Sequence, residues 1–279
     1  MKELEKLLVY LKMNNTACFI YSDNEKYSVL KDCAVKSFKT WHPDIPLYEL
    51  SRKSQDPHYI DKFRQVKEIS EENNITKCII LGADTITCSR LDEFLEKDQD
   101  LLVTLDYNYQ LEIGNLKTPV VEGDNLHLNA DVLCINNLEV LDKLVDYTIR
   151  YKTNYNEQAA LNILVFMPDL EDHEKYETLL VDGPVKHSSV VYNARSKAPI
   201  PAGPGEKPWG KYTADWYVKD DKLFSYDDRQ IKVFHYCEGF GTLSNEGFLS
   251  MLNRWKEEWF NEETKKFFVQ KCKLDYFNE

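Results

Sequence analysis

The chain has 279 residues, a formal net charge of −12 and 43% hydrophobic residues. This length and apolar content are ordinary for a soluble globular protein with a sizeable core, and they exclude the disordered, collagen-like and coiled-coil classes. The acidic balance would repel nucleic acid and anionic lipid unless a basic patch were segregated on one face. No such patch is visible, so we expect no nucleic-acid partner.

Hydropathy and cysteine usage predict a cytoplasmic protein. No apolar run approaches the roughly 20 residues of a membrane-crossing helix, so we expect no integral membrane segment. The first residues carry mixed charge and precede too short an apolar run for a signal peptide. The seven cysteines are dispersed, mostly within apolar runs, and form no C-x-x-C pair. This pattern favours reduced core thiols over a zinc site.

Predicted strands and helices alternate over the first 165 residues. Residues 16–21 are β-branched and aromatic, which predicts a strand, and a turn then leads into a helical pattern from about 25 to 39. Such alternation is typical of an α/β fold with a mostly parallel sheet, helices on both faces and ligands at the strand ends. The further predicted elements are strands at 46–50, 77–81, 101–105 and 131–135 and helices at 57–73, 138–150 and 156–167.

The last third of the chain differs in composition. Residues 198–210 are rich in Pro and Gly and lack periodicity, which predicts a rigid loop that carries Trp209. A late strand at 231–236 and two amphipathic carboxyl-terminal helices follow. Trp209 and Trp216 would either stack on a sugar or anchor the loop, and we favour the anchor.

Asp84 is the sharpest candidate for chemistry. The phosphate-binding motifs G-x-x-x-x-G-K-S/T and G-x-G-x-x-G are absent, as are G-x-S-x-G and H-E-x-x-H. Asp84 follows a predicted buried strand, where a carboxylate is well held for Mg²⁺ or Mn²⁺, which favour oxygen ligands. The alternative is that Asp84 only caps a turn, and its spacing alone favours that alternative.

Four segments together resemble the motifs of a known enzyme family. They read L-G-A-D-T and L-D-E-F within 81–94, L-N-A-D-V-L-C-I-N at 128–136, N-E-Q-A-A-L-N at 156–162 and V-F-H-Y-C-E-G at 233–239. In this order they resemble L-D-A-D-T…L-D-E-L-F, F-N-S/A-G-V-x-L-I-N, D-Q-x-x-L-N and H-F/Y-x-G of the retaining glycosyltransferases with the GT-A fold. That family includes glycogenin and bacterial lipopolysaccharide galactosyltransferases.

The resemblance implies one GT-A-type domain for the transfer of nucleotide-diphospho-sugars. It spans residues 16 to about 260 and implies a mostly parallel central sheet flanked by helices, with further helices at the carboxyl end. Within a single domain over 1–279, the nucleotide-binding part would lie at about 14–110 and the donor-sugar and acceptor part at about 111–279.

The resemblance also implies a divalent-metal site. Asp84 and His235 would hold Mn²⁺ or Mg²⁺ beside the diphosphate of the donor. Gly82 stands where the family has the first aspartate of its D-x-D, which removes one ligand and one charge. We therefore expect metal binding that is weak, that uses another carboxylate or that is lost. Without the resemblance, a histidine that ends an apolar strand is more often a hydrogen-bonded core residue.

A nucleotide-sugar site follows from the same resemblance. Asp131, Glu157 and Gln158 would position the donor sugar as catalytic residues, although Asp131 and Glu157 replace a glycine and an aspartate of the family. Glu157 and Gln158 would alternatively form only the first turn of a helix, where negative charge suits the dipole. Tyr27 would stack on the base or pack in the core. The implied nucleotide, phosphate and sugar contacts are Tyr21, Ser22, Asp23, Tyr27, Lys62, Arg64, Gly82, Ala83 and Asn129.

These residues predict a glycosyltransferase that moves a sugar from a nucleotide diphosphate, with UDP favoured, to a hydroxyl of a glycan, protein or lipid. The resemblance implies retention of anomeric configuration. Gly82 motivates the alternative of a degenerate relative that binds a sugar nucleotide or a glycan without transfer. A sugar-1-phosphate nucleotidyltransferase ranks third, because residues 19–24 lack the Gly-rich basic loop that such enzymes carry after the first strand.

Overall fold

A computed structural model provides the structure of the chain. It describes residues 15–22, 24–53, 60–106, 112–113, 116–121, 124–151, 156–167, 175–181, 189–192, 194–195, 216–225, 228–235 and 244–278. The helices are α1 (Ser28–Trp41), α2 (Ile60–Asn73), α3 (Asp92–Glu96), α4 (Glu139–Arg150), α5 (Asn156–Phe166), α6 (Ser189–Tyr192), α7 (Asn245–Trp259) and α8 (Glu262–Lys271), with 3-10 turns at Glu25–Tyr27 and Asp275–Phe277.

The strands occur singly between helices and as short hairpins. In chain order they are β1 (Thr16–Ser22), β2 (Leu47–Ser51), β3 (Lys77–Gly82), β4 (Thr85–Thr87), β5 (Leu101–Leu105), β6 (Glu112–Ile113), β7 (Leu116–Lys117), β8 (Val120–Val121), β9 (Asp124–Asn125), β10 (Leu128–Ile135), β11 (Thr178–Leu180), β12 (Ala194–Arg195), β13 (Trp216–Lys219), β14 (Lys222–Ser225) and β15 (Val233–His235).

A six-stranded sheet lies at the centre, with strand order β11-β5-β10-β3-β1-β2. β1 pairs in parallel with β2 and β3, and β11 pairs in parallel with β5. β10 is antiparallel to both of its neighbours, β3 and β5. All strands of this sheet except β10 therefore share one direction, which confirms the predicted mostly parallel α/β architecture.

Helices cover both faces of this sheet. Successive side chains of β1 point to opposite faces. Phe19 accordingly packs in a core with residues of α2, α4 and α5, whereas Ile20 packs in a core with residues of α1 and α3. Every residue of β3 is buried, as expected for a strand covered on both sides. Burial of this kind fixes the strand and therefore the position of the turn that follows it.

A second, three-stranded sheet with the order β12-β15-β4 packs on a separate aromatic core. The ring of Phe234 lies 5.1 Å from Trp216, 5.4 Å from Phe260 and 5.9 Å from Phe268, measured between centroids. Phe260 follows α7 and Phe268 belongs to α8, so the two carboxyl-terminal helices hold β15 in place. This packing determines where the last residue of β15 lies.

The structure confirms most of the predicted elements and corrects a few. The strands predicted at 16–21, 77–81 and 101–105 are β1, β3 and β5, and the two carboxyl-terminal helices are α7 and α8. The late strand is shorter than predicted, and β10 is longer, beginning at Leu128. The hairpins β6–β7, β8–β9 and β13–β14 and the short strands β4, β11 and β12 were not predicted, because two to four residues are too few to show a period of two.

The cysteines that the structure describes are core residues, as the sequence predicts. Cys18, Cys33, Cys78, Cys88, Cys134 and Cys272 are buried and free. Trp216 is buried in the aromatic core, while the loop at 198–210 with Trp209 lies outside the described residues, as does Cys237. None of the described helices combines the length and the apolar character that a membrane crossing needs.

Candidate functional site

The turn between β3 and β4 brings Asp84 next to His235. β15 pairs antiparallel with β4, and His235 lies opposite Thr85 in this register. The residue just before β4 therefore meets the end of β15. Nε2 of His235 lies 3.1 Å from Oδ1 of Asp84, and the two side chains are 3% and 18% exposed. Two residues that are far apart in the sequence thus share one sheltered contact.

This pair offers one nitrogen and one oxygen donor to a metal ion. Among the residues that the structure describes, no group of three or more His, Cys, Asp or Glu side chains is arranged to hold a metal. Mg²⁺ and Mn²⁺ favour oxygen ligands, and Mg²⁺ is commonly held by one or two carboxylates together with substrate phosphates and water, whereas imidazole is a common ligand of other transition metals. Asp84 and His235 therefore fit a metal that is shared with a bound phosphate, and within the described residues they do not complete a metal centre by themselves.

Gly82, at the end of β3, lies between two carboxylates. A Cβ atom placed on Gly82 would lie 2.9 Å from Oδ1 of Asp84 and 3.1 Å from Cβ of Asp131. Both distances are shorter than nearly all contacts that real Cβ atoms make. The absence of a side chain at position 82 therefore allows Asp84 and Asp131 to come close to the same point.

Lys62 connects Asp131 to Glu157 from inside the protein. It lies on α2 and its side chain is buried. Its ammonium donates to Oδ1 of Asp131 at 2.9 Å, to Oε1 of Glu157 at 3.2 Å and to the carbonyl oxygen of Ala130 at 3.0 Å. An ammonium has three hydrogens, so these bonds use its whole donor capacity. Lys62 is a fixed internal cation.

The charges of Lys62, Asp131 and Glu157, here called the trio, are determined by burial and by the attraction of opposite charges. Burial lowers the pKa of Lys62, but the attraction of Asp131 and Glu157 outweighs it and leaves that pKa above its ordinary value. Burial raises the pKa of Glu157 to about 7, with Lys62 acting against the rise and Asp131 adding to it. One ammonium faces two carboxylates, so a net negative charge remains inside the trio when both are ionised.

Polar side chains of α5 attach this helix to β5 and β10. Nε2 of Gln158 donates to Oδ2 of Asp106 at 2.6 Å, just after β5. The side-chain amide of Asn162 accepts from the backbone N–H of Leu128 at 2.9 Å and donates to its carbonyl at 3.2 Å. Oδ1 of Asn129 accepts from the backbone N–H of Asp131 at 2.8 Å. The start of β10 is therefore held by α5 and by its own side chains.

Sequence reasoning missed Asp106 and Asn162. Asp106 follows a correctly predicted strand, as Asp84 does, so the same strand-end argument would have identified it. Asn162 closes the N-E-Q-A-A-L-N segment, but a single asparagine in a helical pattern carries no signal that it pairs with a strand backbone.

A cleft of about 550 Å³ opens at the carboxyl ends of β1 and β2. Ligands of open α/β sheets bind at this edge. The end of β1, which lines this cleft, is bonded to the residue before Asp84, because the backbone N–H of Ala83 donates to the carbonyl of Tyr21 at 3.0 Å, directly before Ser22. The lining residues of the cleft are Ser22, Asn24, Glu25, Ser28, Lys31, Ser51 and Arg52.

The remaining predicted residues lie elsewhere. Tyr27 packs edge-on against Phe248 of α7 at a centroid distance of 5.0 Å, so the packing alternative is observed and base stacking stays a prediction. Arg64 lines a groove between α2 and α4, two residues and more than half a turn away from Lys62. Lys62 binds carboxylates in the structure, and a contact with phosphate also stays a prediction. Asp23 lies outside the described residues.

No protein-family model and no curated protein matches the sequence. Among solved structures, the fold is similar to that of a glycosyltransferase involved in the glycosylation of the major capsid of PBCV-1, with a TM-score of 0.46, 10% identity and coverage of 86% of this chain and 98% of that one. The glycosyltransferase GlyE of Streptococcus pneumoniae TIGR4 gives a TM-score of 0.48 at 15% identity, with coverage of 88% and 64%. The galactosyltransferase LgtC, solved with donor and acceptor sugar analogs, gives 0.44 at 14% identity, with coverage of 90% and 99%. These are similarities of chain path.

Proposed function

We propose that the chain is a glycosyltransferase that transfers a sugar from a nucleotide diphosphate donor, with UDP as the favoured nucleotide, to a hydroxyl group of an acceptor. One observation carries the proposal: residues from all four motif segments meet at one end of the central sheet. His235 contacts Asp84, and Asp131 is joined to Glu157 through Lys62. The close approach at Gly82 connects these two groups.

The cleft at the ends of β1 and β2 supports binding of the nucleotide. It has room for a small ligand, and its charged lining residues are Lys31, Arg52 and Glu25, of which Lys31 is paired with Glu49 at 3.0 Å. The two basic side chains suit contacts with phosphate. The hydroxyl of Ser51 adds a donor that suits phosphate or ribose oxygens, while the hydroxyl of Ser22 donates to the carbonyl of Asn24 at 3.0 Å and can accept from a ribose hydroxyl. A diphosphate that leaves this cleft in the direction of Ala83 would reach Asp84.

A divalent cation, Mn²⁺ or Mg²⁺, fits beside Asp84 and His235. When bound there, it would neutralise the charge that develops on the departing diphosphate. Asp84 supplies the oxygen donor that such ions favour. His235 is held in register by β4 and by the aromatic core behind it.

The other site residues position the sugar before the reaction. Lys62 holds Asp131 and Glu157 through bonds that exist without substrate, so these groups need little reorganisation when a donor binds. Gln158 is oriented by Asp106 in the same way. Carboxylate and amide groups can accept hydrogen bonds from sugar hydroxyls. Retention of anomeric configuration is supported by the motif resemblance, and the acceptor would be a hydroxyl of a glycan, protein or lipid.

A nucleotide-release assay tests the proposal. Each UDP- and GDP-sugar is incubated with the wild-type chain, a divalent metal and a panel of hydroxyl acceptors, and the released nucleotide is measured. We expect the wild-type chain to release the nucleotide from one donor. The rate of release should be at least about 100-fold lower in His235→Gln, because that variant loses a group that stabilises the charge on the departing diphosphate. Asp92→Asn, an exposed carboxylate on α3, is the matched control and should act as the wild type does. Release from no donor under any condition would contradict the transferase.

Gly82 favours a second candidate, a protein that binds a sugar nucleotide or a glycan without transferring the sugar. A carboxylate at position 82 would add a further ligand beside Asp84, and the chain lacks it. Tight donor binding without nucleotide release in the same assay would support this candidate over the transferase.

A further inference from the structure

Positions 82 and 131 lie side by side on paired strands. In the antiparallel register of β3 and β10, Val132 lies opposite Leu81, which places Asp131 next to Gly82. The side chain of Asp131 enters the space that a side chain at position 82 would need, since its Cβ lies 3.1 Å from the Cβ position of Gly82. The two positions therefore share one volume.

The pairing of β10 is irregular at this place. Its register with β5 shifts between Asn129 and Leu133, and Asp131 lies within the shifted segment. Irregularities in strand pairing, such as β-bulges, redirect side chains and are frequent beside binding sites. The backbone of Asp131 is held there by the side chain of Asn129. The position of Asp131 is therefore determined by the backbone of β10.

Lys62 fixes the carboxylate from the buried side. Its ammonium lies 2.9 Å from Oδ1 of Asp131, yet 36% of the aspartate side chain is exposed. Asp131 therefore has a charge partner inside the protein and a partly exposed side chain that a ligand can contact. Asp84, which lies on the other side of Gly82, is in contact with His235 instead.

We propose that positions 82 and 131 act as one unit, which supplies a single carboxylate to the site from β10 and directs it to hydroxyl groups of the donor sugar. This inference rests on the proposed function. Asp131 is paired with Lys62 and not with His235, so we expect its contribution to donor binding to be independent of a metal ion. We expect the contribution of Asp84 to depend on one.

An exchange of the two residues tests the unit. Asp131→Gly removes the carboxylate, and Gly82→Asp places a second side chain against the Cβ of Asp131, so each single variant should weaken binding of the UDP-sugar by about tenfold or more. In the double variant Gly82→Asp/Asp131→Gly, the new side chain at position 82 no longer meets a Cβ atom at position 131. The site then again has one carboxylate in the volume that the two positions share. Only the flexible tip of Asp84 then has to move. We expect the double variant to bind the donor better than either single variant.

Two ligands and two metal conditions separate the roles. Asp131→Asn should weaken binding of the UDP-sugar equally in Mn²⁺ and in EDTA, while binding of UDP alone stays within about twofold of the wild type, because UDP has no sugar to contact. Equal binding of the UDP-sugar by the wild type and Asp131→Asn would overturn this inference but not the proposed function. If the wild-type chain binds no nucleotide sugar, the proposed function and the sugar contact both fail.

Thermal unfolding tests the shared volume without any ligand. Gly82→Ala should lower Tm by about 5 °C in the wild-type background and by clearly less in the Asp131→Gly background, where the rigid contact with the Cβ of residue 131 is gone and only the flexible carboxylate of Asp84 has to move. Equal shifts in the two backgrounds would show that positions 82 and 131 are independent and would overturn the proposal.

Discussion

Nε2 of His235 and Oδ1 of Asp84 lie 3.1 Å apart, although the two residues are far apart in the sequence. The contact depends on a three-residue strand pair, β15 with β4, and on the aromatic core that supports it. It gives the candidate site a nitrogen and an oxygen donor beside the cleft of β1 and β2.

Asp84→Asn should remove the metal dependence of donor binding. An amide lacks the negative charge that draws Mn²⁺ to this pair, so the gain in donor affinity on adding Mn²⁺ should fall by about tenfold or more. Calorimetric titration with and without Mn²⁺ measures this gain. Asp92→Asn provides the control, because Asp92 is an exposed carboxylate paired with Arg90. An undiminished Mn²⁺ effect in Asp84→Asn would remove Asp84 from the metal site.

Lys62→Met should destabilise the fold strongly. It leaves Asp131 and Glu157 without the buried cation that both contact, and breaking a buried ion pair in this way typically costs about 3 to 5 kcal/mol. Lys67→Met is the matched control on the same helix, since Lys67 pairs with Asp142 and Glu71 at the surface. Exposed pairs contribute less than about 1 kcal/mol. Urea unfolding of both variants measures the difference, and similar losses would argue against the internal role of Lys62.

Glu157→Gln should change how stability depends on pH. Burial raises the pKa of Glu157 to about 7 in the folded chain from its ordinary value of 4.5, so the folded state holds its proton more tightly than the unfolded state does. The resulting stabilisation is fully present below about pH 4.5 and is lost as pH rises through about 7. A glutamine has no proton to lose, so this loss should be absent from the variant.

The free energy of unfolding of the wild type relative to Glu157→Gln should therefore fall by up to about 3 kcal/mol between pH 5 and pH 8. Chemical denaturation at the two pH values measures it. Glu139→Gln, at the exposed start of α4, should leave the pH profile of the wild type unchanged. A parallel pair of profiles for the wild type and Glu157→Gln would mean that Glu157 titrates as an ordinary carboxylate.

Arg52→Ala should weaken nucleotide binding. Arg52 lines the cleft at the ends of β1 and β2, where a guanidinium can form charge-assisted hydrogen bonds with phosphate. We expect the Kd of UDP to rise about tenfold. Arg150→Ala, on the exposed end of α4, removes the same charge at a distance from the cleft and should not affect UDP. Equal effects of the two variants would indicate only a general influence of net charge.

Much of the sheet could be predicted from the sequence, because its strands are short apolar runs between helical patterns. Residues 77–81 show this clearly, since each is buried in β3. The meeting of Asp84 with His235 could not be predicted from residue patterns, because β4 is too short to be recognised. Only the order of the motifs suggested it.

The internal ion pairs of Lys62 could not be predicted from the sequence either. A lysine in a polar helix is usually solvated, and nothing near Lys62 in the sequence indicates that its ammonium reaches two carboxylates from other elements. The proximity of Gly82 and Asp131 depends on the antiparallel register of β10 and on the irregularity in its pairing. Register is a property of the assembled sheet, so the sequence predicted that another carboxylate could act in place of one at position 82 but not that Asp131 lies beside it.

The most direct test of the central claim is a calorimetric titration of the wild-type chain with UDP and with a panel of UDP- and GDP-sugars, in Mn²⁺, in Mg²⁺ and in EDTA. We expect micromolar binding of one nucleotide sugar that is tighter than binding of UDP and that strengthens with Mn²⁺. Absence of nucleotide binding under all three conditions would contradict the assignment of this site to glycosyl transfer.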